Sequence, residues 1–204
     1  MFGPELPLAL APLSTLAPTL DHPTAEVMPA GIQELAVVTE PLPAVGFGRQ
    51  TAIWRTGLDG GLEMTLGANR QSDGAVAPLA GLAWSVIPGL WKVQGDVIPD
   101  AIPAGRAEGW RAWNVFELVT PWGTPRLAQG LVSGQPRVLA AFDISSGGGL
   151  VTSANVAWQG GDMSGWNAGV GARWRFYGDL AGVLTVHLDR ATQASVGAGL
   201  GGRW

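Results

Sequence analysis

The sequence predicts an all-β protein, an up-and-down antiparallel β-barrel of about 12 strands that cross a membrane. Three observations support this fold class. From Ala30 onward the chain divides into segments of roughly ten residues, separated by Gly, Pro, Asp and Ser, the common turn formers. Within the segments apolar residues alternate with small or polar ones, and no helical period is sustained. Only 14% of the residues are charged, against about 25% in an ordinary soluble domain.

The chain has two predicted parts, a Pro-rich N-terminal tail over residues 1–29 and a barrel over residues 30–204. The tail is unpatterned, and we expect it to be disordered or to lie against or inside the barrel. Its first twenty residues lack the basic start of a secretory signal, so that signal is either missing or not used. The predicted strands are 30–40, 49–57, 61–70, 77–86, 90–98, 109–120, 125–133, 136–144, 150–159, 164–176, 179–189 and 192–204, and ten strands would also fit.

The alternation can be followed strand by strand, because successive side chains of a strand point to opposite faces. In 61–70, Leu62 and Leu66 oppose Glu63, and in 90–98, Trp91 and Val93 oppose Lys92. The clearest case is 164–176. One face of it carries Trp166, Ala168, Val170, Ala172 and Trp174, and the other carries Asn167, Gly169, Gly171, Arg173 and Arg175. The last two strands repeat this arrangement, while Pro78 and Pro125 blur the starts of 77–86 and 125–133.

Two architectures produce this alternation. In a soluble sandwich or barrel the apolar face is inside, whereas in a membrane barrel it meets lipid and the polar face lines the interior. The polar face here is rich in Gly, Ser, Asn and Gln and poor in charge, which is unusual for a soluble surface. Short connections, such as Leu58-Asp59-Gly60 and Tyr177-Gly178, suit an up-and-down barrel. The membrane barrel is the favoured prediction, and a soluble all-β binding or structural protein is the alternative.

The tryptophans are predicted to form two interfacial belts. With the first strand starting on the periplasmic side, one group lies near even-numbered turns or the C-terminus: Trp54, Trp84, Trp91, Trp122, Trp174 and Trp204. A second group lies near odd-numbered loops: Trp110, Trp158 and Trp166. Trp113 fits neither group. Trp166 and Trp174 are separated by roughly 26 Å at about 3.3 Å per residue, close to the height of an apolar band.

The last ten residues, SVGAGLGGRW, alternate apolar residues with small or polar ones and end on Trp204. This stretch resembles the terminal β-signal of bacterial outer-membrane β-barrel proteins, in which a final aromatic residue closes the last strand. The resemblance covers residues 30–204 in pattern and only this stretch in residues. It implies a location in the bacterial outer membrane and contact with membrane lipid. Assembly as a homo-oligomer or within a larger envelope complex stays open.

The sequence offers little for catalysis, and no enzyme activity and no cofactor are expected. His22 lies in the tail, while His187 shares a polar face with Asp189 and has Ser195 on the next strand. An outer-membrane hydrolase using His187 is therefore a second alternative, although no G-x-S-x-G or H-E-x-x-H motif is present. Two isolated histidines and no cysteine argue against a metal site. With Lys and Arg at 12 against 16 Asp and Glu, a nucleic-acid partner is not expected.

The predicted function follows from the polar face, which carries charges of both signs. The candidate lumen-lining residues are Glu63, Lys92, Asp96, Arg111, Glu117, Asp143, Arg173, Arg175, His187 and Arg203. These charges either pair across a narrow interior, which gives a structural role, or line a small porin-like passive channel. Arg173, Arg175 and Arg203 come from strands near one another, and a cationic patch there would favour anions.

Overall fold

The protein is a closed antiparallel barrel of twelve strands, each paired with its sequence neighbours. A computed structural model describes Ala25 and residues 27–40, 49–70, 74–97, 109–132, 134–160, 165–188 and 194–204. The strands are β1 (Gln33–Glu40), β2 (Arg49–Leu58), β3 (Leu62–Arg70), β4 (Val76–Ile87), β5 (Trp91–Val97), β6 (Trp110–Glu117), β7 (Thr124–Val132), β8 (Gln135–Gly147), β9 (Leu150–Gln159), β10 (Gly165–Tyr177), β11 (Leu180–Leu188) and β12 (Ala194–Arg203). The predicted fold class and strand number are confirmed.

The barrel closes through pairing of its first and last strands. Leu35 of β1 lies opposite Gly202 of β12, and Thr39 lies opposite Ala198. At the end of this pair, Gln33 N–H donates to the Trp204 carbonyl at 3.0 Å, and Trp204 N–H donates to the Gln33 carbonyl at 3.1 Å. Closure leaves no edge strand, as a sheet in hydrocarbon requires.

The two ends of the barrel differ in their connections. At one end, called the turn end below, lie Gln33, Trp204 and the connections 59–61, 88–90, 118–123, 148–149 and 178–179. Gly178 takes a φ of 52° in the two-residue turn after β10, a conformation that glycine adopts without strain. The opposite end, called the loop end, carries the connections after β1, β3, β5, β7, β9 and β11. Among the described residues, no helix is long and apolar enough to span a membrane.

Strand bounds differ from the predicted ones by at most three residues, for local reasons. The predicted first strand begins at Ala30, whereas β1 begins at Gln33, because Ile32 N–H turns back to the Pro29 carbonyl at 3.0 Å. The strand predicted over 109–120 ends at Glu117, because Thr120 and Gly123 close a turn. Most of the predicted tail, residues 1–24 and 26, lies outside the described residues.

The apolar face of the sheet points outward. In β10, Trp166 and Trp174 are exposed and Val170 is 57% exposed, while Gly169 between them is buried. The same holds around the barrel, where leucine and valine side chains such as Leu35, Leu82 and Leu200 are exposed. The soluble alternative required Trp166, Val170 and Trp174 to be buried by protein, and the structure contradicts that requirement.

Candidate functional site

The inward face at the turn end carries a cluster of ion pairs from four strands. Glu34 of β1 lies directly between Arg55 of β2 and Arg203 of β12 in the strand register. Its carboxylate accepts from Arg55 at 3.4 Å and from Arg203 Nε at 2.8 Å. Arg55 also donates to Glu63 of β3 through Nε at 2.8 Å and through its terminal nitrogen at 2.5 Å. These contacts tie the barrel together across the seam between its first and last strands.

A second cluster lies on the other side of the turn end. Arg126 of β7 donates to Glu117 of β6 at 2.9 Å and to Asp143 of β8 at 2.6 Å. Glu117 and Arg126 are directly opposed in the register. Further toward the loop end, Arg111 of β6 pairs with its cross-strand neighbour Asp96 of β5 at 3.3 Å. Cross-strand pairs of opposite charge stabilise adjacent strands.

Lys92, on β5, lies between the two ion-pair clusters. Its side chain is inward and only 1% exposed. Glu63, Asp96 and Glu117 are near enough to act on its charge. Burying an ammonium group is costly unless acidic groups compensate it, and this position satisfies that condition.

The wall made by β10, β11 and β12 is different, because glycine is frequent at the inward positions of β10 and β12. Those glycines include Gly169, Gly171, Gly197, Gly199 and Gly201. A Cβ on Gly171 would come within 3.2 Å of its cross-strand partners Ser153 and Thr185, so the inward side chains of this wall are closely packed. Arg173, Arg175 and Arg203 are described charged residues of this wall between the glycines and the turn end, and Arg175 is exposed.

The structure assigns the predicted lumen residues as follows. Glu63, Lys92, Arg111 and Glu117 are buried on the inward face, and Asp96, Asp143, Arg173 and Arg203 are partly buried there. His187 belongs to β11, with its backbone opposite Ser195, but these two side chains lie outside the described part, as do His22 and Asp189. Arg175, the last of the predicted lumen residues, lies at an inward position near the turn end and is exposed.

Sequence reasoning missed several buried inward residues: Glu34, Arg55, Asn69, Arg126, Arg137 and Asn155. Strand parity could have found Arg55, which occupies an inward position of a predicted strand. The same parity places Glu34 and Arg126 on the inward face, and only their partners required the register between strands, which the sequence does not give. Asn69 is fully buried, and its amide makes no hydrogen bond among the described residues.

Most of the tryptophans lie on the outward face. At the turn end, Trp84, Trp122, Trp174 and Trp204 are exposed, and Trp54 and Trp91 are partly exposed. Trp91 stacks on its cross-strand partner Phe116 with ring centroids 5.8 Å apart. At the loop end, Trp158 and Trp166 are opposed in the register, and Trp110 is partly exposed. Trp113 is the inward exception, at 2% exposure.

Structural comparison relates this barrel to porins. No protein-family model and no curated protein sequence matches the chain. The solved structure of KdgM porin is similar at a TM-score of 0.61 and 6% identity, covering 84% of this chain and 98% of the porin. KdgM porin in complex with disordered oligogalacturonate is similar at a TM-score of 0.59 with the same identity and coverage. The fold is therefore that of an outer-membrane β-barrel, which confirms the resemblance seen in the last strand.

A third similar structure is a loop deletion mutant of OmpT, an outer membrane protein of Vibrio cholerae. The match covers 85% of this chain and 98% of the OmpT mutant chain, at 7% identity. Its TM-score of 0.41 is too low to support a conclusion about this chain.

Proposed function

We propose that this protein is a passive channel of the bacterial outer membrane that favours small anionic solutes. The observation that carries the proposal is the sign of the lumen charge. Among the described residues, the inward acidic side chains are Glu34, Glu63, Asp96, Glu117 and Asp143, whereas the inward basic ones are Arg55, Lys92, Arg111, Arg126, Arg137, Arg173, Arg175 and Arg203. Among the described inward side chains, basic residues thus outnumber acidic ones, although the whole chain has a net charge of −4.

The basic excess is not spread evenly around the wall. The acidic residues lie on β1, β3, β5, β6 and β8, next to the arginines that they bind. Arg173 and Arg175 lie on β10, and the described inward side chains of β10 and β12 include arginines and no acids. Rings or patches of arginine favour anions in membrane pores. The solute class is inferred from these charges of the chain itself, and the similarity to KdgM porin supports the architecture.

Reversal potentials in planar lipid bilayers test the proposal. Under a salt gradient we expect the full chain to show openings that favour chloride over potassium. The double variant Arg173→Glu with Arg175→Glu should shift the reversal potential toward cation selectivity, because it inverts two lumen charges. Arg70→Glu is the matched control, since Arg70 is exposed at the outward face of β3. A selectivity that the double variant leaves unchanged would overturn the proposal.

A further inference from the structure

Ala25 and Met28, two described residues that precede β1, are buried inside the barrel. Met28 N–H donates to Glu63 Oε2 at 2.9 Å, and Ala25 N–H donates to Glu117 Oε2 at 3.1 Å. Both carboxylates are buried members of the ion-pair clusters at the turn end. They lie on β3 and β6, so the segment crosses the interior beside one arc of the wall.

The methyl group of Ala25 packs into an apolar patch of this wall. Ala25 is fully buried and belongs to one cluster with inward side chains of β6, β7, β8 and β9: Trp113, Val115, Ala128, Val132, Leu139 and Ala157. The Ala25 N–H bond to Glu117, the last residue of β6, places this methyl group inside the barrel near the turn end.

Gly57 provides the space through which the segment enters. Its missing side chain matters, because a Cβ at this position would collide with the carbonyl oxygens of Met28 and Pro29. The same residue holds the segment by its backbone. Gly57 N–H donates to the Ile32 carbonyl at 3.0 Å, and Gly31 N–H donates to the Gly57 carbonyl at 3.2 Å.

Several small inward side chains are shielded from solvent, which is consistent with an interior filled by large inward side chains together with Ala25 and Met28. Side chains alone fill a barrel of about eight strands, and the diameter grows with strand number. A twelve-stranded barrel walled by small residues would leave room for water. Nevertheless Ala36 and Val183 on one wall, and Ala128 on the other, are buried.

We propose that the lumen is a peptide-binding site, and that the chain around Ala25 and Met28 occupies this site as a plug. Recognition is by main chain, since two carboxylates accept backbone N–H groups and one small pocket accepts a methyl group. The carboxylates also hold Arg55 and Arg126, so the plug is attached to the charge clusters that line the lumen. This inference rests on the proposed channel function in one respect, namely that the plug closes the channel. The peptide site itself does not depend on that function.

Thiol labelling tests the position of the plug without any conductance measurement. The chain has no cysteine, so single-cysteine variants report one site each. We expect Ala25→Cys to react at least about tenfold more slowly with a charged maleimide than Asp59→Cys in an exposed turn, because reactivity requires access. Adding Met28→Pro, which removes the N–H that Glu63 accepts, should speed the labelling of Ala25→Cys. Val27→Pro is the matched control, since the Val27 N–H makes none of the described hydrogen bonds.

A second variant separates loss of the plug from misfolding. Gly57→Ala should also speed the labelling of Ala25→Cys, whereas Gly95→Ala should not, because a Cβ on Gly95 meets its nearest neighbour at 3.6 Å. Heat-modifiable gel mobility shows whether each variant has formed a barrel. Equal labelling rates at Ala25→Cys and Asp59→Cys in a folded barrel would overturn the plug.

Conductance of the same full-length variants tests the consequence. Met28→Pro and Gly57→Ala should raise the open fraction in planar bilayers severalfold, while Val27→Pro and Gly95→Ala stay near the unmodified chain. If labelling shows a displaced plug and no variant conducts, the peptide site stands and the channel function fails. If the unmodified chain conducts and labelling at residue 25 is fast, the channel stands and the plug fails.

Discussion

Arg126 shows how single residues hold the interior together. Its guanidinium bridges Glu117 and Asp143, and all three side chains are largely shielded from water. A buried ion pair contributes little net stability, but removing one partner leaves buried charge uncompensated. Substituting Arg126 should therefore cost stability even when the new side chain has a similar length and volume.

The change Arg126→Met should lower the free energy of unfolding by about 3–5 kcal/mol, because two carboxylates then face each other without their cation. Reversible urea unfolding in lipid vesicles measures this loss. Arg70→Met removes the same charge from an exposed strand end, so it should change the free energy by no more than about 0.5 kcal/mol. Similar small losses for both variants would show that Arg126 does not hold the cluster.

The sequence predicts which face of the barrel a residue lies on, but it does not predict which residue on the next strand it pairs with. Alternation alone puts Glu63, Lys92 and Arg111 on the inward face. It cannot align one strand with the next, so the pairing of Arg126 with Glu117 depends on a register that the blurred start at Pro125 hid. The contacts of the segment before β1 were even less accessible, because Ala25 and Glu117 are 92 residues apart and no periodic pattern connects them.

At the scale of elements, β12 decides whether the barrel exists. It pairs with β11 along its whole length and with β1 across the seam. The sequence identified this strand from its alternation and its final tryptophan. What it could not show is that Arg203 would meet Glu34, since that contact exists only once the two ends of the chain have been brought together.

Deleting residues 195–204 should abolish the barrel, because β1 and β11 would each expose a row of unpaired backbone groups costing several kcal/mol apiece in hydrocarbon. Trp204→Ala should only slow or reduce assembly, since the exposed indole leaves while the backbone bonds to Gln33 remain. Heat-modifiable gel mobility and protease resistance in membranes distinguish the two results. A protease-resistant barrel without residues 195–204 would contradict the need for closure by β12.

At the scale of the whole molecule, the barrel separates two environments. The outward face is apolar with tryptophans near both ends, whereas the inward face is charged and carries a segment of the same chain. The exposed pair Trp166 and Trp174 spans roughly 26 Å along β10 at about 3.3 Å per residue. With a strand tilt of about 40°, the height across the membrane is about 20 Å, at the thin end of bilayer thickness.

This height predicts how folding depends on the lipid. The unfolded chain should fold faster and more completely into dilauroyl than into dioleoyl phosphatidylcholine vesicles, because the thicker bilayer must thin locally around a short apolar band. Gel mobility of unheated samples over time measures the folded fraction. Trp166→Ala with Trp174→Ala should weaken this dependence by removing anchors at both interfaces, while Trp113→Phe, a change inside the barrel, should leave it unaltered. Folding without lipid or detergent, or folding that ignores bilayer thickness, would contradict a membrane-spanning barrel of this height.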